Sequence, residues 1–409
     1  MAEAVYVLGA GRTDFKRNLS KEGKDIRDVI IEAGRGAIGS AGIDPADIQS
    51  GVVGNFAGGL FTRQLHLGAF LTDIDAKLRG IPTLHTEAAC ASGSVAVLTA
   101  AQQIMGGLHD VVLVVGAEQQ KTMSPAEGSD VLGAAGDYRI ERPKYGDFMF
   151  PKLFADIAQR YAKRYGLTER QLSSVAFKNY AHARLNPNAQ MRDKSLRFED
   201  ACAESAGNTR IAPPLKLTDC SQISDGAAAV VLVSERFARK QRRNNLPKLL
   251  GYGHTTDHLS VDAKDIPEFP YARAAADRAY SMAGVGPRDL HGADVHDCFS
   301  ISEIVAYEVL SFAERGQGPR LAESGATALP SVRAELGGSV SSMLLPVNPG
   351  GGLIGDGHPV GATGVRQVVE MYQQLTDSAG ARQIEGARRY LTFNMGGTMT
   401  TSVAMIWGT

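Results

Sequence analysis

The sequence predicts a layered α/β protein assembled from two copies of one β/α unit, and three observations predict it. The stretch from Cys90 to Met105 reads as a helix, and no charged residue falls between Glu87 and Asp110. A helix that is apolar all round is buried on every side, so it belongs in a middle layer. The runs Val111–Val115 and Ala227–Val233 read as strands covered on both faces. Finally, landmark residues recur at a fixed distance: Gly9 and Gly251, Gly42 and Gly284, Pro45 and Pro287, Asp47 and Asp289 each lie 242 positions apart. Ordered self-similarity of this kind marks a duplicated structural unit.

Taken in order, residues 5–14 read as a strand and turn, 26–41 as a helix, and 51–56 as a short strand. Cys90 opens the apolar helix, Gly106 and Gly107 stop it, and the buried strand from Val111 follows. A cysteine at such a helix start faces unpaired N–H groups and the positive end of the macrodipole, which predicts a lowered pKa. The alternative is a small thiol used only for packing. Residues 121–211 differ in texture, with glycine and charge first and then two amphipathic helices. The second of these starts at the capping box Thr168–Gln171 and stops before Pro187. The second copy runs through the strand near Leu250, the helix 272–283, the segment Ala293–Phe299, and strands at 390–393 and 401–406. The echo also matches Cys90-x-x-Gly93 with His358-x-x-Gly361 and Val115-Gly116 with Met395-Gly396. The expected division is therefore 1–120 plus 212–248 for the first half, 121–211 for an insertion, and 249–409 for the second half.

Composition excludes several classes. The 409 residues are 44% hydrophobic and 21% charged, ordinary for a globular protein with ample core. A net charge of −1 argues against a nucleic-acid binder. No apolar run reaches bilayer length, and no signal-peptide pattern is present. The cysteines (Cys90, Cys202, Cys220, Cys298) form no C-x-x-C pair, so a reducing, cytoplasmic setting fits and no metal site is expected.

Four motifs then stand out: Cys90-Ala-Ser92, His296-Asp-Cys-Phe299, the glycine-rich run Asn348 to Pro359 containing Gly-His358-Pro, and Asn394-Met-Gly396-Gly397. Together they resemble the thiolases essentially end to end, in particular the sterol-carrier-protein and archaeal branch that carries His-Asp-Cys-Phe. Better-known thiolases have Asn-Glu-Ala-Phe at 296–299 and Cys-x-Gly at 394–396, so the second catalytic cysteine has moved to Cys298. The resemblance implies a thiolase-like five-layered α/β/α/β/α fold of two similar halves, with a loop domain over the coenzyme A site. It also implies an acyltransferase that cleaves a 3-ketoacyl-CoA by thiolysis or runs the reverse Claisen condensation. Acyl-CoA and CoA are then substrates and products, and no cofactor is covalently bound. Cys90 would be the acylated nucleophile, His358 its base, and Cys298 the acid/base for the α-carbon. One oxyanion hole would comprise His358 and a water held by His296, and the other the N–H groups of Cys90 and Gly396. His358 must be neutral. Its position at a helix start, with Pro359 first in the helix, is expected to lower its pKa.

The resemblance further implies a homodimer or homotetramer, with a small zinc-ribbon/OB-fold protein as an optional partner. Rival readings are a ketosynthase-type acyltransferase, an aldolase subunit that needs such a partner, and a non-catalytic acyl-CoA-binding scaffold. The motif set counts against the first, and the retained Cys90 against the second. Which residues hold CoA stays open. Other signals are weak. Gly9-x-Gly11-x-x-Asp14 lacks the third glycine of a dinucleotide fingerprint, and Gly350 to Gly357 lacks the Lys-Ser/Thr of a phosphate loop. His254 and His258 beside Asp257 read as a turn rather than a metal pair. The basic run Arg236–Arg243 reads as a solvated helix end, with contact to CoA phosphates as the minor alternative. Cys202 and Cys220 read as packing residues, and Asp356 as facing solvent or a turn N–H, with tuning of the His358 imidazole as the minor alternative.

Overall fold

The computed structural model describes residues 3–241, 243, 245–336 and 344–409. Nine strands form one sheet: β1 (Val5–Arg12), β2 (Ser50–Gly54), β3 (Thr83–Thr86), β4 (Val111–Gln119), β7 (Asp225–Ser234), β8 (Lys248–Thr256), β9 (Gly292–Val295), β10 (Arg389–Gly396) and β11 (Thr401–Gly408). A separate two-stranded ribbon pairs β5 (Arg210–Ala212) with β6 (Leu215–Lys216). The strand order is β3-β2-β4-β7-β1-β8-β11-β10-β9. Read outward from the centre, β1-β7-β4-β2 on one side repeats as β8-β11-β10-β9 on the other. The two sides share one pattern of directions, antiparallel next to the centre and parallel at β2/β4 and β9/β10. They join at one ladder pair, Tyr6 with Lys248.

Alternation along the strands makes the layers, because successive side chains point to opposite faces. Val112, Val114, Val230 and Leu232 of one half-sheet, and Val403, Met405 and Trp407 of the other, meet in a single core. That core also holds Val97, Leu98 and Ile104 of the helix Ser92–Met105, with Val365, Val368 and Met371 of the helix Thr363–Leu375. Leu113, Val115 and Val231 face the other way, onto the helix Ile26–Ala41. Leu391, Phe393 and Ile406 face the helices Pro270–Ala283 and Ser300–Val309. Helices thus alternate with half-sheets in five layers. Each fully buried Val or Leu contributes roughly 1.5–3 kcal/mol.

The ladders also test the repeat. Gly9 pairs with Val231 and Gly251 with Ile406, so the 242-residue offset is structural. Gly116 pairs with Ala228, and the residue at the matching rung of the second half is Asn394, opposite Val403. Val115-Gly116 therefore corresponds to Phe393-Asn394, two residues earlier than the sequence echo placed it. Gly9 and Gly11 have a packing reason: a Cβ there would lie 2.3 and 2.6 Å from backbone of the helix Ile26–Ala41. The two middle helices also touch through backbone, since a Cβ on Gly93 would lie 2.7 Å from Gly361 O and one on Gly364 2.2 Å from Ser94 N.

Candidate active site

Cys90 lies two residues before the helix Ser92–Met105, not in its first turn. The turn that carries it is tight: Ala89 is left-handed at φ 49°, and the Ser92 hydroxyl donates to Ala89 O while accepting from Ala88 N–H. From the other half come His296 and Cys298, in the turn between β9 and the helix Ser300–Val309, and His358, at the end of the glycine-rich run. The Cys90 sulfur and one ring nitrogen each of His296 and His358 lie within 4.8 Å of one another. The two imidazoles stand edge to face, with centroids 5.1 Å apart. Among the described residues this is the only group of three or more His, Cys, Asp or Glu donors so gathered. Cys90, Cys298 and His358 line a cavity of about 300 Å³ whose walls are mostly apolar, with Phe56, Leu132, Phe148, Phe150 and Phe299 among them.

Hydrogen bonds decide the tautomers. The Thr363 hydroxyl donates to Pro359 O, so it accepts from Nδ1–H of His358 at 2.7 Å. That leaves Nε2 of His358 with its lone pair free. The Asn394 amide donates to Ser94 Oγ at 3.1 Å, and its Oδ1 accepts from Nδ1–H of His296 at 2.7 Å. Nε2 of His296 is buried and has no protein partner among the described residues, so it is an acceptor suited to a water.

The electrostatics correct two expectations. Burial pushes the Cys90 thiol up to about 12, against the lowered value its helix position suggested. Backbone N–H groups of Gly397 and of Cys90 itself pull the other way, but desolvation outweighs them. Burial also drives the pKa of His358 well down, with His296 and Arg366 adding to the effect. The imidazole is neutral as expected, but for a different reason. Pro359 is not the first helical residue; a single 3-10 turn, Val360–Ala362, intervenes before the helix begins at Thr363. His296 is held down to about 3, first by burial. The Cys298 thiol is raised by burial and then by Cys90, and its sulfur lies 3.6 Å from Ser302 Oγ.

Gly396 ends β10, and an added Cβ would lie 2.2 Å from Ala88 O, so this strand end presses against the chain leading to Cys90. Gly397 follows at φ 60°, and sequence reasoning missed its contact with the thiol; the Gly-Gly pair was the available signal. Asp356 is a further correction. It is fully buried and takes both terminal nitrogens of Arg12 at 2.7 Å, facing neither solvent nor a turn N–H. Cys220 packs in the hydrophobic core, as expected, and also lines the same cavity. In the basic run, Arg236 pairs with Asp110 and Arg239 with Glu235 at the surface, and Arg242 lies outside the described residues.

Two family descriptions match the chain: the thiolase N-terminal domain over residues 5–197 and the thiolase C-terminal domain-like family over residues 251–409. The chain belongs to the thiolase family. An acetyl-CoA acetyltransferase of Methanothermobacter thermautotrophicus is 38% identical across 98% of this thiolase and 99% of its own length. Sterol carrier protein 2 of Bos taurus is 33% identical across 96% of this thiolase and 70% of its own length. Among solved structures, the Ltp2-ChsH2(DUF35) aldolase superposes with a TM-score of 0.80 at 24% identity, covering 99% of this chain and 97% of that one. At that identity the likeness shows the fold. Among the described residues no helix is long and apolar enough to cross a membrane.

Proposed function

We propose that this thiolase works through an acyl-cysteine at Cys90, with His358, Cys298 and His296 completing the catalytic set. Membership of the family makes the protein an acyltransferase that acts on acyl-CoA, in thiolysis or in the reverse Claisen condensation. One observation carries the assignment of residues. A thiol from the first half and two imidazoles from the second converge within 4.8 Å, beside an apolar cavity that also exposes Cys298.

In thiolysis, Nε2 of His358 takes the Cys90 proton as sulfur attacks the 3-keto carbon. The bond between carbons 2 and 3 then breaks, and Cys298 protonates the departing acetyl-CoA enolate. The thiol of free CoA next gives its proton to the Cys298 thiolate and attacks the acyl-Cys90 thioester, Cys90 leaves and recovers its proton from His358, and acyl-CoA is released. Oxyanion charge is met by the water on Nε2 of His296 and by His358 on one side. On the other side the Cys90 and Gly396 N–H groups meet it, and each such donor is worth roughly 3–4 kcal/mol of barrier. The neutral state of His358 supports its role as base, and the raised thiol explains why a base is needed.

The domain division is 1–120 plus 212–248, 121–211, and 249–409, with the middle segment as a loop domain over the CoA-binding face. The unit is a homodimer, supported by the sheet ending at β3 with Leu84 exposed on that edge strand. Free cysteines throughout fit a reducing, cytoplasmic setting. The assignment is tested by incubating the enzyme with a 3-ketoacyl-CoA, trapping by acid quench and mapping the acyl group by mass spectrometry. Label on Cys90 is expected, and label elsewhere overturns the reading.

A further inference from the structure

Behind the site lies a buried polar cluster, Lys178, Asn179, Asp297 and Glu303, of which only Asp297 belongs to a motif. The helix Glu169–Ala183 carries Lys178 and Asn179, both fully buried. The ammonium of Lys178 donates to Asn179 Oδ1 at 2.6 Å and to Val347 O at 2.9 Å, and pairs with Glu303 Oε1 at 2.7 Å. With Oδ1 thus engaged, both amide hydrogens of Asn179 are directed at carboxylates. They reach Asp297 Oδ2 and Glu303 Oε2, each at 2.7 Å. Asp297 sits between His296 and Cys298, and Glu303 follows Ser302, the residue beside the Cys298 sulfur. One carboxamide therefore bridges two buried acids on the two sides of the Cys298 turn.

We propose that Asn179 is a positioning residue for the carbon–carbon step: by bridging Asp297 and Glu303 it sets the direction of the Cys298 thiol and leaves acylation of Cys90 untouched. The inference rests on the roles proposed above for Cys90 and Cys298. Without the bridge, Asp297 keeps the N–H groups of Leu353 and Ile354, and Glu303 keeps Lys178, Tyr307 and Asn348. The one donor group shared by the two acids across the Cys298 turn is lost in a low-dielectric interior, and the turn is free to shift. The acylation apparatus has other anchors. His358 is tied by its own N–H to Ser224 Oγ at 2.9 Å, and Asp356, two residues earlier, is clamped by Arg12 of the first half. Cys90 is carried by the turn before the helix Ser92–Met105. None of these contacts passes through Asn179.

The test separates the half-reactions in Asn179→Ala and in the milder Asn179→Ser, which keeps one donor. The amount and rate of acyl-Cys90 formed from acetyl-CoA are measured by quenched mass spectrometry. Exchange of the acetyl-CoA α-hydrogens with deuterated water reports Cys298, and steady-state condensation gives kcat and KM. The expected result for Asn179→Ala is acylation within threefold of the parent, with deuterium exchange and kcat both down at least thirtyfold and KM within threefold. Asn179→Ser should fall between. Equal losses in acylation and exchange, or failure of both variants to fold, would assign Asn179 a purely structural role, and no loss in either would show that it has none; each overturns the proposal. A parent enzyme that forms no acyl-Cys90 would instead refute the underlying assignment.

Discussion

Asn394 Oδ1 accepts the Nδ1 proton of His296 at 2.7 Å, and this contact decides that the other nitrogen of the ring faces the site bare. The same amide reaches Ser94 Oγ across the interface between the halves, so neither group can reverse without leaving the other unpaired. Asn394→Leu keeps the volume and removes both contacts. Its kcat in thiolysis should fall about 100-fold, the scale of one lost oxyanion contact, with little change in KM. Asn394→Asp, which retains an acceptor for His296, should recover part of the loss. Steady-state kinetics on both variants checks this.

Cys90→Ala should form no acyl-enzyme from any acyl-CoA. Cys298→Ala should still acylate at Cys90 yet lose about 10²- to 10⁴-fold in carbon–carbon bond formation or cleavage, the range of general acid–base catalysis. Intact-mass spectra paired with turnover assays distinguish the two. An unimpaired thiolysis rate in Cys298→Ala would remove it from the mechanism.

Because burial raises the Cys90 thiol to about 12, the free enzyme holds the protonated form across the neutral range. The thiolate fraction, and with it the rate of Cys90 alkylation by iodoacetamide, should climb about tenfold per pH unit from pH 7 to 10 with no plateau. Peptide mapping of alkylated Cys90 against time gives the profile. A profile already flat at pH 7 would mean a preformed thiolate, and a plateau near pH 8 a thiol without the burial effect; either outcome contradicts the raised value.

Arg12 joins the first strand to Asp356 in the second half through two 2.7 Å contacts, both side chains being buried. Arg12→Ala leaves Asp356 with only Arg366 at 3.5 Å and should lower stability by about 3–5 kcal/mol, measured by urea unfolding. Arg12→Lys should restore little, since a point charge cannot reproduce the fork.

The edge strand β3 presents Leu84 outward. Leu84→Asp should weaken the proposed homodimer and shift the protein toward monomer in light scattering coupled to gel filtration.

Much of this was legible in the chain because it is local or repeated. The buried helix near Cys90, the strands at 111–115 and 227–233, the capping box at Thr168 and the 242-residue offset are all signals of periodicity, capping or recurrence, and each appears in the structure. What escaped depends on long-range burial. Nothing near Cys90 in sequence reveals that desolvation outweighs the N–H groups aimed at its sulfur. Nothing near Asp356 announces Arg12, 344 residues away. Nothing local to Lys178 and Asn179 marks them as buried, and only the closed fold covers them. The echo that placed Gly396 opposite Gly116 slipped by two because a match of single glycines carries no register, whereas a ladder does.

Burial holds the four groups at the centre, Cys90, Cys298, His296 and His358, in their uncharged forms. Sulfur kept as its conjugate acid reacts slowly with peroxide, since oxidation to sulfenic acid starts from the anion. Two cysteines lining one cavity are therefore slow to oxidise between turnovers, and Cys90 gains its full nucleophilicity as His358 takes its proton and a substrate carbonyl receives the electron pair.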